Sequence, residues 1–286
     1  MRLEDSFLGR CVSSFMDLQG LDRAMGIASQ SFTALIPLLI LVSAVLPTGD
    51  GNAVAESIVR RFHLTGDAAR SVEMVFAQSE PASVGLGSLL LLVFSGVSLT
   101  RRLQRLYLQA YGLEPLSGVR GSFNAALGLA VLLVEIALLY FLRTLVRALP
   151  FDWALGLPLS VLASLALWTS VPFLLLDRRV PWQRLFPAGA LAGTAVSLYG
   201  VATTFYMPRL MTSYSERYGL FGVTVAIVGW LLCVAIILVA TTVIAAELDR
   251  APDDWARRLR ARLGADLPRP ARVPRTDEAT GPSRDE

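Results

Sequence analysis

The chain alternates between long charge-free blocks and short arginine-bearing breaks. The blocks cover residues 24–49, 81–100, 121–142, 153–176, 185–208 and 218–246; only the third is interrupted, by Glu135. About 20 apolar residues of helix cross the ~30 Å hydrocarbon core of a bilayer. The pattern therefore predicts six membrane-spanning helices, with both chain ends on one side. Between the blocks the periodicity changes. Leu3, Phe7, Leu8, Cys11, Val12 and Phe15 recur at helical spacing, which predicts an amphipathic helix on the membrane surface. Val54, Ile58 and Phe62, then Val72, Val75 and Phe76, form two patches separated by Gly66-Asp67. They predict two short helices capping the opposite face.

The tail changes character at Ala251. Asp253 and Asp254 can start a helix ending at Gly264. On it Trp255, Leu259 and Leu263 face one way, and Arg257, Arg258, Arg260 and Arg262 fill the rest. Two readings fit: a basic helix held by the anionic inner leaflet, with ~1 kcal/mol per arginine, or a solvated helix. Residues 265–286 are rich in Pro, Arg and acids, a composition that favours disorder. The expected organisation is a cytoplasmic amphipathic helix (1–22), a six-helix membrane domain (23–250, with an outside loop at 48–80) and a basic tail (251–286). The fold class is all-α: a polytopic membrane bundle with interfacial helices.

Arginine fixes the orientation. All 26 basic residues are arginine. With the N-terminus inside, nineteen lie on the cytoplasmic side and seven outside, as the positive-inside rule requires. Residues 101–120 and 177–184 alone carry seven arginines against two acids. No signal peptide is expected, because Glu4 and Asp5 follow Arg2 and no apolar run precedes Ala24. The composition agrees: 54% of the 286 residues are hydrophobic and 17% charged, against about 25% charged in soluble domains. A net charge of +3 is too small to imply nucleic acid. Two cysteines and one histidine barely reach the three or four ligands of a zinc site. No P-loop, HExxH or GxSxG pattern is present. No cofactor, metal or enzymatic activity is expected.

Glu135 is the most informative single residue. It lies about 18 Å along its helix from Phe123. An acid at that depth costs about 2.5–3.5 kcal/mol on insertion scales. It must face the bundle interior or a wet cavity, or be protonated. It is a candidate for contact with a substrate headgroup; the alternative is a structural hydrogen bond to another helix. Arg143, about 12 Å further out, either snorkels to the outer headgroups or marks an anion site at a cavity mouth. In the first span Ser29, Gln30, Ser31 and Thr33 precede Pro37. Proline removes a backbone hydrogen bond and kinks a helix. These polar residues either line a cavity, with Gln30 as candidate, or satisfy carbonyls that the kink frees. Tyr199 and Thr203 are one turn apart in the fifth span and can face the same cavity. Gly189 and Gly193 permit close helix packing.

Three stretches resemble the YihY/BrkB family of bacterial inner-membrane proteins. They are AMGIASQSFTALIPLLILVSAVLP (24–47), LTRRLQRLYLQAYGLEPLSGVRG (99–121), and residues 218–250 with YGLFG, Trp230 and AAELDR. The resemblance implies a six-span bundle in the bacterial cytoplasmic membrane. It also implies a link to envelope lipids, since some members are suggested to carry lipid or lipopolysaccharide. The family's older label, ribonuclease BN, finds no support in a chain with one histidine and no metal-ligand cluster. The expected function is a transporter or flippase for an amphiphilic, lipid-like substrate. The alternative is a non-transporting scaffold or regulator of envelope assembly. Membrane lipids are the expected partners, and the oligomeric state stays open.

Overall fold

The computed structural model describes residues 6–45, 56, 59–60, 66, 69–70, 86–116, 118–147 and 152–262. All regular structure among them is helical. The helices are α1 (Phe7–Asp17), α2 (Gly20–Val45), α3 (Leu86–Ala110), α4 (Gly118–Arg147), α5 (Asp152–Leu175), α6 (Trp182–Gly219), α7 (Phe221–Arg250) and α8 (Asp254–Arg262). The described residues of the six apolar blocks lie almost wholly on α2 to α7. Among the described residues three helical segments are long and apolar enough to cross a membrane: Gly118–Glu135, Trp182–Gly219 and Phe221–Arg250. Only 17%, 28% and 28% of their apolar windows are buried. Leu91, Phe94, Val134, Phe141, Leu198, Phe205 and Phe221 are exposed on the outside of the bundle. Apolar helices with so much exposed apolar surface belong in lipid.

α6 and α7 form an antiparallel hairpin. Gly219 adopts φ 56°, ψ −137° and breaks the helix there; a side chain at that φ is strained. Next to the turn, a Cβ on Gly222 would stand 2.1 Å from the Tyr214 carbonyl oxygen. Met207 and Met211 pack on Val223 and Ala226 near the turn. Arg184 meets Asp249 at the far end. Val59 and Ala69 also lie on the Met207–Met211 cluster; most of the other residues of the expected outer-loop helices, and His63, lie outside the described residues.

The other helices close around this hairpin. α2 packs on α7 and α3, α3 on α4, α4 on α5, and α5 on α6. The α5–α6 contact depends on Gly189, where a Cβ would come within 2.1 Å of Thr169 Oγ1. Both glycines of the predicted small-residue pair face α5, as close packing requires. A second core joins Tyr107, Leu108 and Leu113 to Val171, Leu175, Leu176, Val180 and Leu185.

Several helices run past the ends of their apolar blocks, two of them by nine residues or more. Residues 101–110, expected as part of an inner loop, continue α3. Leu106, Tyr107, Leu108 and Ala110 are all buried there, and that burial sustains the helix past its arginines. Residues 209–217 continue α6 beyond the fifth apolar block, because Met211 is needed against Val223. The tail helix ends its description at Arg262, and residues 263–286 lie outside the described set.

Candidate functional site

Glu135 sits on α4 facing α5. Ser170 Oγ donates to its Oε1 at 2.6 Å. Its other oxygen, Oε2, is buried without a hydrogen-bond partner among the described residues. α4 and α5 run antiparallel here: Gly128 lies against Leu175, and Asn124 Nδ2 donates to Asp177 Oδ1 at 2.9 Å. The Asn124–Asp177 pair marks the charged end of the two helices, joined by Arg120 at 2.9 Å from Asp177. Glu135 is eleven residues further along α4, about 16 Å deeper at 1.5 Å per residue. A carboxyl at that depth with one oxygen unmatched costs free energy. Chemically it offers one open acceptor to a donor entering between the helices.

The other candidates are dispersed. Gln30 is half-buried on α2. Beside it Ser31 and Thr33 donate to Ile27 O (2.8 Å) and Ser29 O (3.0 Å) of their own helix. α2 runs on past Pro37 to Val45; the Pro37 side chain lies outside the described residues. So does the side chain of Arg143, whose backbone is in α4. Thr203 is buried and spends its proton on Gly200 O at 2.8 Å. The Tyr199 and Tyr206 hydroxyls share a hydrogen bond of 2.6 Å, and Tyr199 also reaches Cys233 on α7. Among the described residues no hydrogen bond joins any two of Glu135, Gln30, Tyr199 and Thr203. Trp230 Nε1, Ser95 Oγ, Thr169 Oγ1 and Ser215 Oγ are further buried polar atoms without a hydrogen-bond partner among the described residues.

A second polar region escaped the sequence reading. At the arginine-rich end, the last turn of α7 carries Glu247, Asp249 and Arg250. Ser14 of α1 donates to Glu247 Oε1 at 2.7 Å, and Arg250 pairs with the same oxygen at 3.2 Å. Arg250 also donates to the Ala110 carbonyl at the end of α3. Arg184, almost fully buried, lies 3.6 Å from Asp249. Gln104 Nε2 donates to Leu175 O at 3.0 Å. Tyr111 lies against this network, its hydroxyl without a hydrogen-bond partner among the described residues. Burial first, then Asp249, pushes its phenol well above the usual range. Two acids at a helix C-terminus oppose the macrodipole. That anomaly in AAELDR was the available signal that these side chains have fixed partners.

The termini meet at the same end. Arg10 pairs with Asp253, and Phe7 meets Trp255 edge-on at 5.2 Å. Arg260 is buried: its Nη1 and Nη2 donate to Leu248 O (2.7 Å) and Ala251 O (2.9 Å). Of the four arginines expected on the polar face of the tail helix, this one instead caps α7. The free carbonyls of a helix C-terminus attract a guanidinium. Among the described residues no group of three His, Cys, Asp or Glu side chains is placed to hold a metal.

These features define a membrane protein, helical in all the regular structure of its described residues, with a half-buried carboxyl between two helices and a charged end layer. The chain belongs to the family described as virulence factor BrkB, whose family model matches residues 11–262. No curated protein and no solved structure matches it.

Proposed function

We propose that this is a six-span protein of the bacterial cytoplasmic membrane, with both termini cytoplasmic, that moves an amphiphilic, lipid-like substrate between leaflets. The observation that carries the proposal is Glu135: a half-buried carboxyl on an apolar helix, held by Ser170 through one oxygen, with the other buried and open. An intramembrane acid is expensive and is a functional candidate by default. An open acceptor suits the hydrogen-bond-donating headgroup of an amphiphile. The arginine distribution supports the orientation. So does the grouping of Arg10–Asp253, Arg120–Asp177 and Arg184–Asp249 at the end assigned to the cytoplasm.

The test is lipid translocation in liposomes holding the purified chain, compared with empty vesicles, Glu135→Gln and Ser170→Ala. Transport through this site requires movement above the empty vesicles that Glu135→Gln reduces at least tenfold and Ser170→Ala reduces less. No movement across several headgroup classes would sink the proposal. It would favour a non-transporting scaffold, a reading supported by the fixed junction of α1 and α8 with α7.

A further inference from the structure

α1 carries two apolar faces. The sequence pattern grouped Phe7, Leu8, Cys11, Val12 and Phe15 on one side. In the fold, Phe7, Cys11 and Phe15 turn toward the bundle, where Phe7 packs beside Leu248 and Ala256, and Phe15 beside Ala24 and Val239. Leu8, Val12 and Met16, spaced by four, turn away and are 75%, 59% and 66% exposed. Two polar side chains point the other way, Ser14 to Glu247 and Arg10 to Asp253. A helix that already packs Phe7, Cys11 and Phe15 inward and still turns an aliphatic stripe outward departs from the pattern of a water-facing helix.

α8 continues the surface. Trp255 and Leu259 are exposed, while Ala256 and Arg260 are buried against the bundle. At 100° per residue, Arg258 and Arg262 flank the Trp255–Leu259 stripe, and both are exposed. The Phe7–Trp255 contact joins the two helices edge to edge. The composite patch has aliphatic side chains, an exposed tryptophan and a basic rim. That is the composition of a surface seated at the headgroup–acyl boundary of an anionic leaflet.

We infer that α1 and α8 together form a lipid-docking surface. Leu8, Val12, Met16, Trp255 and Leu259 enter the boundary region of the adjoining leaflet, and Arg258 and Arg262 hold its anionic headgroups. Ser14–Glu247 and Arg260 then tie that leaflet contact to the end of α7. The assignment of this leaflet as cytoplasmic rests on the orientation proposed above.

Nitroxides placed singly at Leu8→Cys, Val12→Cys, Met16→Cys and Ser13→Cys test it. The background is the full chain carrying Cys11→Ala and Cys233→Ser, in nanodiscs of phosphatidylglycerol with phosphatidylcholine and of phosphatidylcholine alone. The first three probes should relax more with oxygen than with a water-soluble nickel chelate, and Ser13 should show the opposite. Arg258→Gln with Arg262→Gln should lower the oxygen-to-nickel ratio severalfold in the anionic discs and leave it unchanged in the neutral ones. Nickel-dominated relaxation at all four positions refutes lipid docking. Shielding from both reagents also refutes it, since a protein then covers the stripe. Equal ratios in the two lipids, untouched by the arginine substitutions, refute the anionic preference. A reporter fused to the C-terminus reads orientation separately: an outside reporter overturns the cytoplasmic assignment, while the depth data stand.

Discussion

Arg260→Met is the sharpest probe of how the tail is held. The substitution keeps much of the aliphatic stem and removes the guanidinium. Two hydrogen bonds are lost, at 2.7 and 2.9 Å, from Leu248 O and Ala251 O. The residues bearing those carbonyls are 8% and 1% exposed, so water reaches them poorly. An unsatisfied buried acceptor costs about 1–3 kcal/mol, and a cation at a helix C-terminus contributes about 0.3–1 kcal/mol more. The junction of α7 and α8 should weaken by about 2–7 kcal/mol. Hydrogen exchange on the full chain in nanodiscs measures this locally, without requiring two-state unfolding. Amides in the last turn of α7 and throughout α8 should exchange at least about thirtyfold faster, since 1.4 kcal/mol is tenfold. Arg257→Ala is the control: it loses only an exposed pair with Asp254, of the kind whose median contribution is ~0–1 kcal/mol. Equal exchange in the two variants would refute the capping role of Arg260.

Three further outcomes follow from particular residues. Asp177 holds φ 56° where a helix cap favours glycine, and its carboxylate takes hydrogen bonds from Asn124 and Arg120. Asp177→Ala should therefore be less heat-resistant than Asp177→Gly by about 1 kcal/mol, because both variants lose the bonds and only alanine keeps the strain; equal midpoints would remove the strain from the account. Gly189→Ala should destabilise by about 1–3 kcal/mol through its clash with Thr169. Thr169→Ala should recover part of that loss, and Gly200→Ala, with nothing near its Cβ site, should lose nothing; thermal inactivation in detergent ranks the set. Burial first, and Glu247 second, raise the Cys11 thiol, while Arg10 opposes them. In a Cys233→Ser background, iodoacetamide should react with Cys11 slowly at neutral pH and faster only above the ordinary thiol range. Glu247→Gln, by removing a negative charge, should shift that rate profile to lower pH, and an unmoved profile would count against the contact.

Much of the architecture was legible because lipid imposes a simple rule on sequence. The backbone must be helical inside hydrocarbon, so a charge-free block of sufficient length announces a helix. The described residues of all six blocks lie almost wholly on helices, and three of those helices are long and apolar enough to cross a membrane. The Gly189–Gly193 pair was equally readable, since close approach admits only small residues. Glu135 stood out because its cost is local: a carboxyl among apolar neighbours is anomalous whatever it touches. The helix ends were not legible. α3 runs to Ala110 because Leu106 and Tyr107 find cover on other helices, and no local signal encodes that cover.

The sequence by itself determined the helical class and the family pattern, and it singled out Glu135. These depend on composition, period and solvent, which each segment carries alone. Only the tertiary structure decided which partners the polar side chains take. Ser170 became the neighbour of Glu135, 35 residues away in the chain, and Ser14 the neighbour of Glu247, 233 away. The same is true of Arg260, indistinguishable in sequence from Arg257 and Arg258, yet the one of the three turned inward to cap α7. Arginines on one short helix share composition and charge, and only the angle at which the helix docks decides which guanidinium meets a carbonyl and which meets solvent or headgroup.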